Sequence, residues 1–345
     1  MINLAVVGLG VWGQRHVRSA RASSRFDINV AVDPSPAAAE VAGNLGLELR
    51  ASLNQALEDP KIDAIALATP HSQHTQQIIE AAAAGTPVYT EKPFALNAAD
   101  ARAAVDAAKK AGIPLALGHD QRNYPSIQRL SEIIKDGALG TISHLDTTLI
   151  HDSLLRPYQD LMADENTNYA RRWRLEQDEA PAGPISQFGI HRIDTMIQLM
   201  GPIDWVIASP SSTAIDPDLI DTVSITVQFA GGQLGHLSNS IASPLYSRLQ
   251  IFGTSGWAES RGPETFEDYR ECSLVDLHVL KDGERTVEAF PIIDSVAANF
   301  ASFADAIEGK ADFIIPMEDM IHVIEVVDAI RESIAGGQRV LIKRD

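Results

Sequence analysis

The chain has 345 residues, 45% of them apolar, which is long for one core and predicts two domains. A formal net charge of −18 weighs against nucleic acid or an anionic membrane surface as the main partner. The single cysteine, Cys272, excludes an internal disulfide and fits a reducing, cytoplasmic setting, and no apolar run reaches the ~20 residues that cross a bilayer.

The first apolar run, residues 2–8, reads as a strand rather than a leader, because no basic segment precedes it and glycines break it. Gly8-Leu9-Gly10-Val11-Trp12-Gly13 follows and opens a helical pattern. Asp33 ends the next apolar run, residues 28–33. This is the G-x-G-x-x-G fingerprint with an acid on schedule. Gly8 permits the tight turn, Gly10 lets the backbone approach a pyrophosphate, and Gly13 allows close helix–strand packing. Helix N-terminal amides favour the phosphates there. Asp33 suits ribose hydroxyls and repels a 2′-phosphate, so NAD is favoured over NADP.

Further strands are predicted over 47–50, 63–68, 87–90 and 114–117, alternating with helices. Asn97 and Gly112 bracket one helix over 98–111. The alternation predicts an α/β Rossmann domain over 1–120. After a helix near 124–136 the period shifts toward two. Strands are predicted at 142–151, 204–212, 220–229, 234–241, 247–253, 275–281 and 286–291, and helices at 294–308 and 317–335. An α+β domain with an open, mostly antiparallel sheet is therefore expected over 121–345. Residues 152–184 form a long, charged stretch of weak periodicity, and such loops in compact domains are usually functional or disordered.

Several short motifs fall in a specific order. Ala68-Thr69-Pro70 precedes His71 and His74, followed by Glu91-Lys92-Pro93 and Gly118-His119-Asp120-Gln121-Arg122. Trp173-Arg174 then precedes Gly189-Ile190-His191-Arg192-Ile193-Asp194. With the glycine fingerprint, this set resembles the glucose–fructose oxidoreductase/inositol dehydrogenase (Gfo/Idh/MocA) family of NAD(P)-dependent oxidoreductases. The resemblance implies that residues 8–13, Asp33, Thr69, Pro70, His71, His74, Glu91, Lys92, Trp173 and Arg174 contact the cofactor. It also implies a polyol or sugar substrate, and a homodimer or homotetramer paired through the second sheet.

An ammonium beside a substrate hydroxyl lowers the cost of alkoxide character as hydride leaves carbon, which suits Lys92. An imidazole can relay the hydroxyl proton, which suits His191. If 187–200 is one helix, Gln187 and Asp194 share a face with His191. Many relatives in the resembled family carry aspartate where this chain has Gln187, and an amide can orient a group but cannot accept a proton. Gln187, Arg122 and His151 are substrate-pocket candidates. His71 and His74 lack a matching third ligand nearby, so no metal is expected. The leading expectation is an NAD-dependent dehydrogenase of a sugar, sugar acid or cyclitol. The alternatives are a dihydrodiol dehydrogenase, a keto-sugar reductase, a redox-neutral NAD enzyme and a non-catalytic NAD-binding sensor.

Overall fold

A computed structural model describes residues 1–152, 179, 182–215, 219–262 and 274–343. It divides into two compact units, Met1–Asp120 with Asp294–Ile324, and Gln121–Ile293 with Glu325–Asp345. The chain thus returns late to the first unit, a return that a single cut after residue 120 does not include.

The first unit contains strands β1 (Ile2–Val7), β2 (Phe26–Val32), β3 (Glu48–Arg50), β4 (Ala64–Leu67), β5 (Val88–Thr90) and β6 (Leu115–Leu117). Every pairing is parallel and the order is β3-β2-β1-β4-β5-β6. The order reverses between β1 and β4, and such switch points open a crevice beyond the carboxyl ends of the strands. All four residues of β4 are buried, as a strand covered on both faces requires.

Helices α1 (Val11–Ala22), α2 (Ala38–Leu45), α3 (Leu53–Leu57), α4 (His71–Ala83) and α5 (Ala98–Ala111) connect these strands. The α5 boundaries match the sequence signals. The Asn97 side chain accepts from the Asp100 N–H, and Gly112 takes the left-handed geometry at φ 68°. Such an N-cap contributes about 1 kcal/mol.

The helix Ser295–Ile307 belongs to this unit and packs against α1. Its capping residue Asp294 accepts from Ala297 N–H, and also from Arg15 and Ser19 on α1. Farther along it, Asn299 donates to Leu117 O at 2.9 Å. Phe300 stacks on Tyr89 of β5, with centroids 4.2 Å apart, and meets Phe26 edge-on. Aromatic pairs of this kind contribute about 0.5–1.5 kcal/mol beyond the burial of their area.

The second unit holds β7 (Ile142–Ile150), β8 (Ile203–Ser211), β9 (Thr222–Phe229), β10 (Leu234–Ser240), β11 (Tyr246–Gly253), β12 (Gly256–Arg261), β13 (Asp276–Lys281), β14 (Glu284–Ala289) and β15 (Val340–Leu341). Their order is β14-β13-β12-β11-β7-β10-β9-β8-β15, and only β7 and β10 pair in parallel. The α/β plus mostly antiparallel α+β architecture therefore holds. The helix Ile190–Met200 lies on one face, where Gly235 leaves room for the Met196 methyl.

The opposite face carries a row of aromatic and apolar side chains. Ladder partners Gln228, Leu234, His144, Phe252, Trp257 and Leu280 run across it, and His144 stacks on Phe252 at 4.4 Å.

Two strands escape the sequence pattern. β12 reads G-W-A-E-S-R, with only Ala258 and Ser260 facing the core, while Glu259, on the Trp257 side, is paired with Arg248 and Arg261. β15 is too short to carry any period. Among the described residues no helix is long and apolar enough to cross a membrane.

Candidate active site

The fingerprint loop joins β1 to α1 with the division of labour that its glycines imply. Gly8 has φ 91°, closed to most side chains, and a Cβ there would lie 2.7 Å from Ala68 O. A Cβ on Gly13 would lie 1.7 Å from Gly8 O, so loop and helix touch backbone to backbone. A Cβ on Gly10 would meet nothing within 4 Å. The fold therefore needs glycine at 8 and 13, whereas at 10 it leaves open space of the kind a pyrophosphate requires.

No side chain caps the N-terminus of α1, which leaves its first amides for a ligand. Asp33, at the end of β2, accepts from Leu9 N–H and Ser35 N–H, both at 2.8 Å. The carboxylate thus fixes the fingerprint loop, and its remaining lone pairs are those a ribose diol would use. These residues fit a dinucleotide. When bound, NAD supplies the hydride acceptor.

The next loop follows β4. Thr69 donates its hydroxyl to Gln77 Oε1 at 2.6 Å, and Pro70 precedes the first residue of α4, His71. His71 and His74 are both buried, with ring centroids 5.8 Å apart. His74 is engaged by carbonyl oxygens, Nδ1 to Pro93 O at 2.9 Å and Nε2 to Thr69 O at 3.1 Å. Those contacts occupy the atoms a metal would need.

Beyond β5 comes Glu91-Lys92-Pro93, with a cis Lys92–Pro93 bond. Glu91 is buried. Its Oε1 accepts from His16 Nε2–H at 2.8 Å and its Oε2 from Lys92 N–H at 3.2 Å. Burial alone would raise its pKa. The His16 hydrogen bond, the charges of His16 and Lys92 and the Lys92 amide outweigh that and hold it below the usual value.

Asp120 behaves oppositely. Burial pushes its carboxyl up to about 6, and the Glu91 charge adds to the rise despite a hydrogen bond from Ser295 and the Lys92 charge. The partly buried Lys92 therefore acts electrostatically on two carboxylates of unlike acidity.

The second unit carries the other candidates. Ile185–Gly189 forms a π-turn that runs directly into Ile190–Met200, so Gln187 lies in an i→i+5 segment rather than in one continuous α-helix. Single π-turns are frequent at functional sites. A Cβ on Gly189 would lie 2.8 Å from Asn239 Oδ1, so glycine lets the start of this helix approach β10.

Gln187 and His191 are both buried. Asp194 is held by Arg122. Its oxygens accept from Arg122 Nε at 2.9 and 3.1 Å and from Nη2 at 2.7 Å. Arg122 is thereby committed to a buried ion pair, with both side chains almost fully covered. Arg192 donates to Gln121 Oε1 and Ser247 Oγ. His151 is buried with its ring stacked on Phe188 at 4.8 Å, beside Gln187 in sequence. Trp173 and Arg174, like Arg171, Arg172 and Cys272, lie outside the described residues.

The family model described as "Oxidoreductase family, NAD-binding Rossmann fold" matches residues 2–119, and that described as "GFO/IDH/MocA C-terminal domain" matches residues 127–259. The rhizopine catabolism protein MocA of Rhizobium meliloti is 30% identical over 275 residues, covering 75% of this chain and 78% of its own. The chain belongs to the Gfo/Idh/MocA family. As a member it is an NAD(P)-dependent oxidoreductase acting on CH–OH groups, and its Rossmann domain is NAD-binding.

Inositol 2-dehydrogenase of Rhizobium meliloti (strain 1021) is 25% identical and aligns over 99% of both chains. The solved structure of levoglucosan dehydrogenase with NADH and levoglucosan shares the fold. Its TM-score is 0.85 at 23% identity, over 99% of this chain and 100% of that one.

Two features of this Gfo/Idh/MocA site escape the sequence motifs. His16 partners Glu91 across 75 positions. A histidine three residues after Gly13, on the apolar side of α1, is the available signal. Ser295 holds Asp120 across 175 positions, and only the Asp294-Ser295 helix start points to it.

Proposed function

We propose that the chain is an NAD-dependent dehydrogenase that oxidises a secondary hydroxyl of a sugar, sugar acid or cyclitol. The observation that carries this reading is the placement of Lys92. It follows β5, the strand next to β4 of the switch point, and its positive charge favours the ionised forms of both Glu91 and Asp120. In this reading the Lys92 ammonium polarises the substrate hydroxyl, and His191 takes the hydroxyl proton as hydride leaves the same carbon. Proton and hydride leave together, so the alcohol becomes a carbonyl. Gln187 and His151 would orient other hydroxyls, and Arg122 would order the pocket wall through Asp194. Glu91 would hold Lys92 in place, and Trp173-Arg174 would contribute to the cofactor site.

Relatives named for inositol and levoglucosan support the substrate class. We further propose that a second copy of the chain covers the row built around Phe252 and Trp257, where Leu234 is exposed and Phe252, Trp257 and Leu280 are only partly buried. Light scattering reads this directly, and a monomer at micromolar concentration would contradict it. A cytoplasmic setting fits the lone Cys272.

The function is tested by following NADH formation with NAD and a panel of sugars, sugar acids, cyclitols and dihydrodiols, and NADH loss with the matching ketones. Turnover of a polyol or sugar supports the reading. A protein that retains NAD through turnover of a glycoside with no net NADH would replace it with a redox-neutral enzyme.

A further inference from the structure

Taking Lys92 as the catalytic lysine of the reading above, we propose that two buried histidines outside the reaction, His16 and His74, brace the Glu91-Lys92-Pro93 segment at its two ends and fix where the Lys92 ammonium sits. They are positioning residues, one acting through the Glu91 carboxylate and the other through the Pro93 carbonyl.

The first anchor is His16. Its ring is wholly buried and lies edge-on to Tyr89 and Phe300, at 5.2 and 5.4 Å. That is an apolar slot on α1 which a leucine would fill without polar cost. Nε2–H donates to Glu91 Oε1 at 2.8 Å, while Nδ1 has no hydrogen-bond partner among the described residues. A buried ring nitrogen without a partner costs free energy, so the Glu91 contact is the one polar return for placing an imidazole here. Glu91 passes the constraint on, because its Oε2 accepts from Lys92 N–H at 3.2 Å. Room for this carboxylate is kept by Gly118, where a Cβ would lie 3.0 Å from Oε1.

The second anchor is His74 on α4, also fully buried. Nδ1 faces Pro93 O at 2.9 Å and Nε2 faces Thr69 O at 3.1 Å. Both oxygens are acceptors, so the ring donates to both when it carries both protons. It ties the loop after β4 to the loop after β5. Lys92 lies between the two anchored residues, one position from each.

The two rings can be dissected by amides of matched reach. A glutamine nitrogen occupies the Nε2 position, and an asparagine nitrogen the Nδ1 position. His16→Leu should lower kcat by about 100-fold, the cost expected of a displacement near 1 Å, with KM and the NAD dissociation constant little changed. His16→Gln should restore most of it. His74→Asn, which keeps the Pro93 contact, should retain a higher kcat than His74→Gln, which keeps only Thr69.

A second readout is independent of turnover. In protein carrying isotope-labelled dimethyl-lysine, the Lys92 resonance, assigned with Lys92→Arg, should shift in His16→Leu and return in His16→Gln. Equal kcat in the Leu and Gln variants of His16, or a Lys92 resonance unmoved by His16→Leu in a folded protein, would overturn the brace. Absence of turnover in the wild-type protein would remove the catalytic reading alone, and the resonance would still decide the brace.

Discussion

The Arg122–Asp194 pair separates an ordering role from a substrate-binding one. Both side chains are almost fully covered, at 3% and 1% exposure, and guanidinium meets carboxylate through contacts of 2.7, 2.9 and 3.1 Å. Replacing Asp194 with asparagine removes the carboxylate that pairs with the buried Arg122 guanidinium. Breaking such a pair from one side costs about 3–5 kcal/mol. At roughly 2–4 °C per kcal/mol for a unit of this size, the second unit should melt about 6–20 °C lower. The double variant Arg122→Met/Asp194→Leu removes both charges together and should recover to within about 1–2 kcal/mol of the wild type, because paired replacement of a buried ion pair is close to neutral. Calorimetry of the wild type, Arg122→Met, Asp194→Leu and the double variant closes the cycle and gives the coupling directly. If Asp194→Asn melts with the wild type while KM rises steeply, the ordering role is refuted and Arg122 is a substrate ligand.

The remaining predictions concern the loop, the acid and the amide. Gly10→Ala should keep the melting temperature within about 2 °C and weaken NAD binding, whereas Gly13→Ala, driven against Gly8 O, should unfold the first unit or abolish its expression. Thermal shift and NAD titration on both variants check this, and identical behaviour of the two would contradict it. Asp120 has a folded-state pKa raised from 3.8 to about 6, so its stabilising proton is fully held below pH 4 and lost as pH rises through 6. The cofactor-free protein should lose up to about 3 kcal/mol from this group across that window. Asp120→Asn should flatten that loss in urea midpoints measured from pH 4.5 to 7.5, and an unchanged slope would refute the assignment. Gln187→Ala should raise KM for the polyol several-fold with NAD affinity preserved, and unchanged kinetics would remove Gln187 from the pocket.

Much of the first unit is legible in the sequence because its signals are local. The strands β1, β4, β5 and β6 are short, largely buried apolar runs, and α5 is bracketed by Asn97 and Gly112. The fingerprint is legible for the same reason, since three glycines answer to steric demands set within a few residues.

What could not be read is non-local. The π-turn at Ile185–Gly189 has no residue signature distinguishing it from a first α-turn, so the shared helical face expected for Gln187 and His191 rested on the wrong hydrogen-bond period. Arg122 follows the last Rossmann strand and suggests a pocket, but its partner Asp194 is 72 positions away. β12 hides because its core-facing positions are Ala258 and Ser260, which give no apolar alternation to read.

The central claim is that Lys92 acts on the reacting hydroxyl and not on cofactor affinity. Single-turnover hydride transfer in Lys92→Ala, with NAD saturating and the best substrate from the panel, tests it most directly. The account predicts a fall in the transfer rate of at least about 100-fold, with the NAD dissociation constant within a few-fold of wild type. A transfer rate near that of the wild type, or a loss explained wholly by weaker NAD binding, would contradict it.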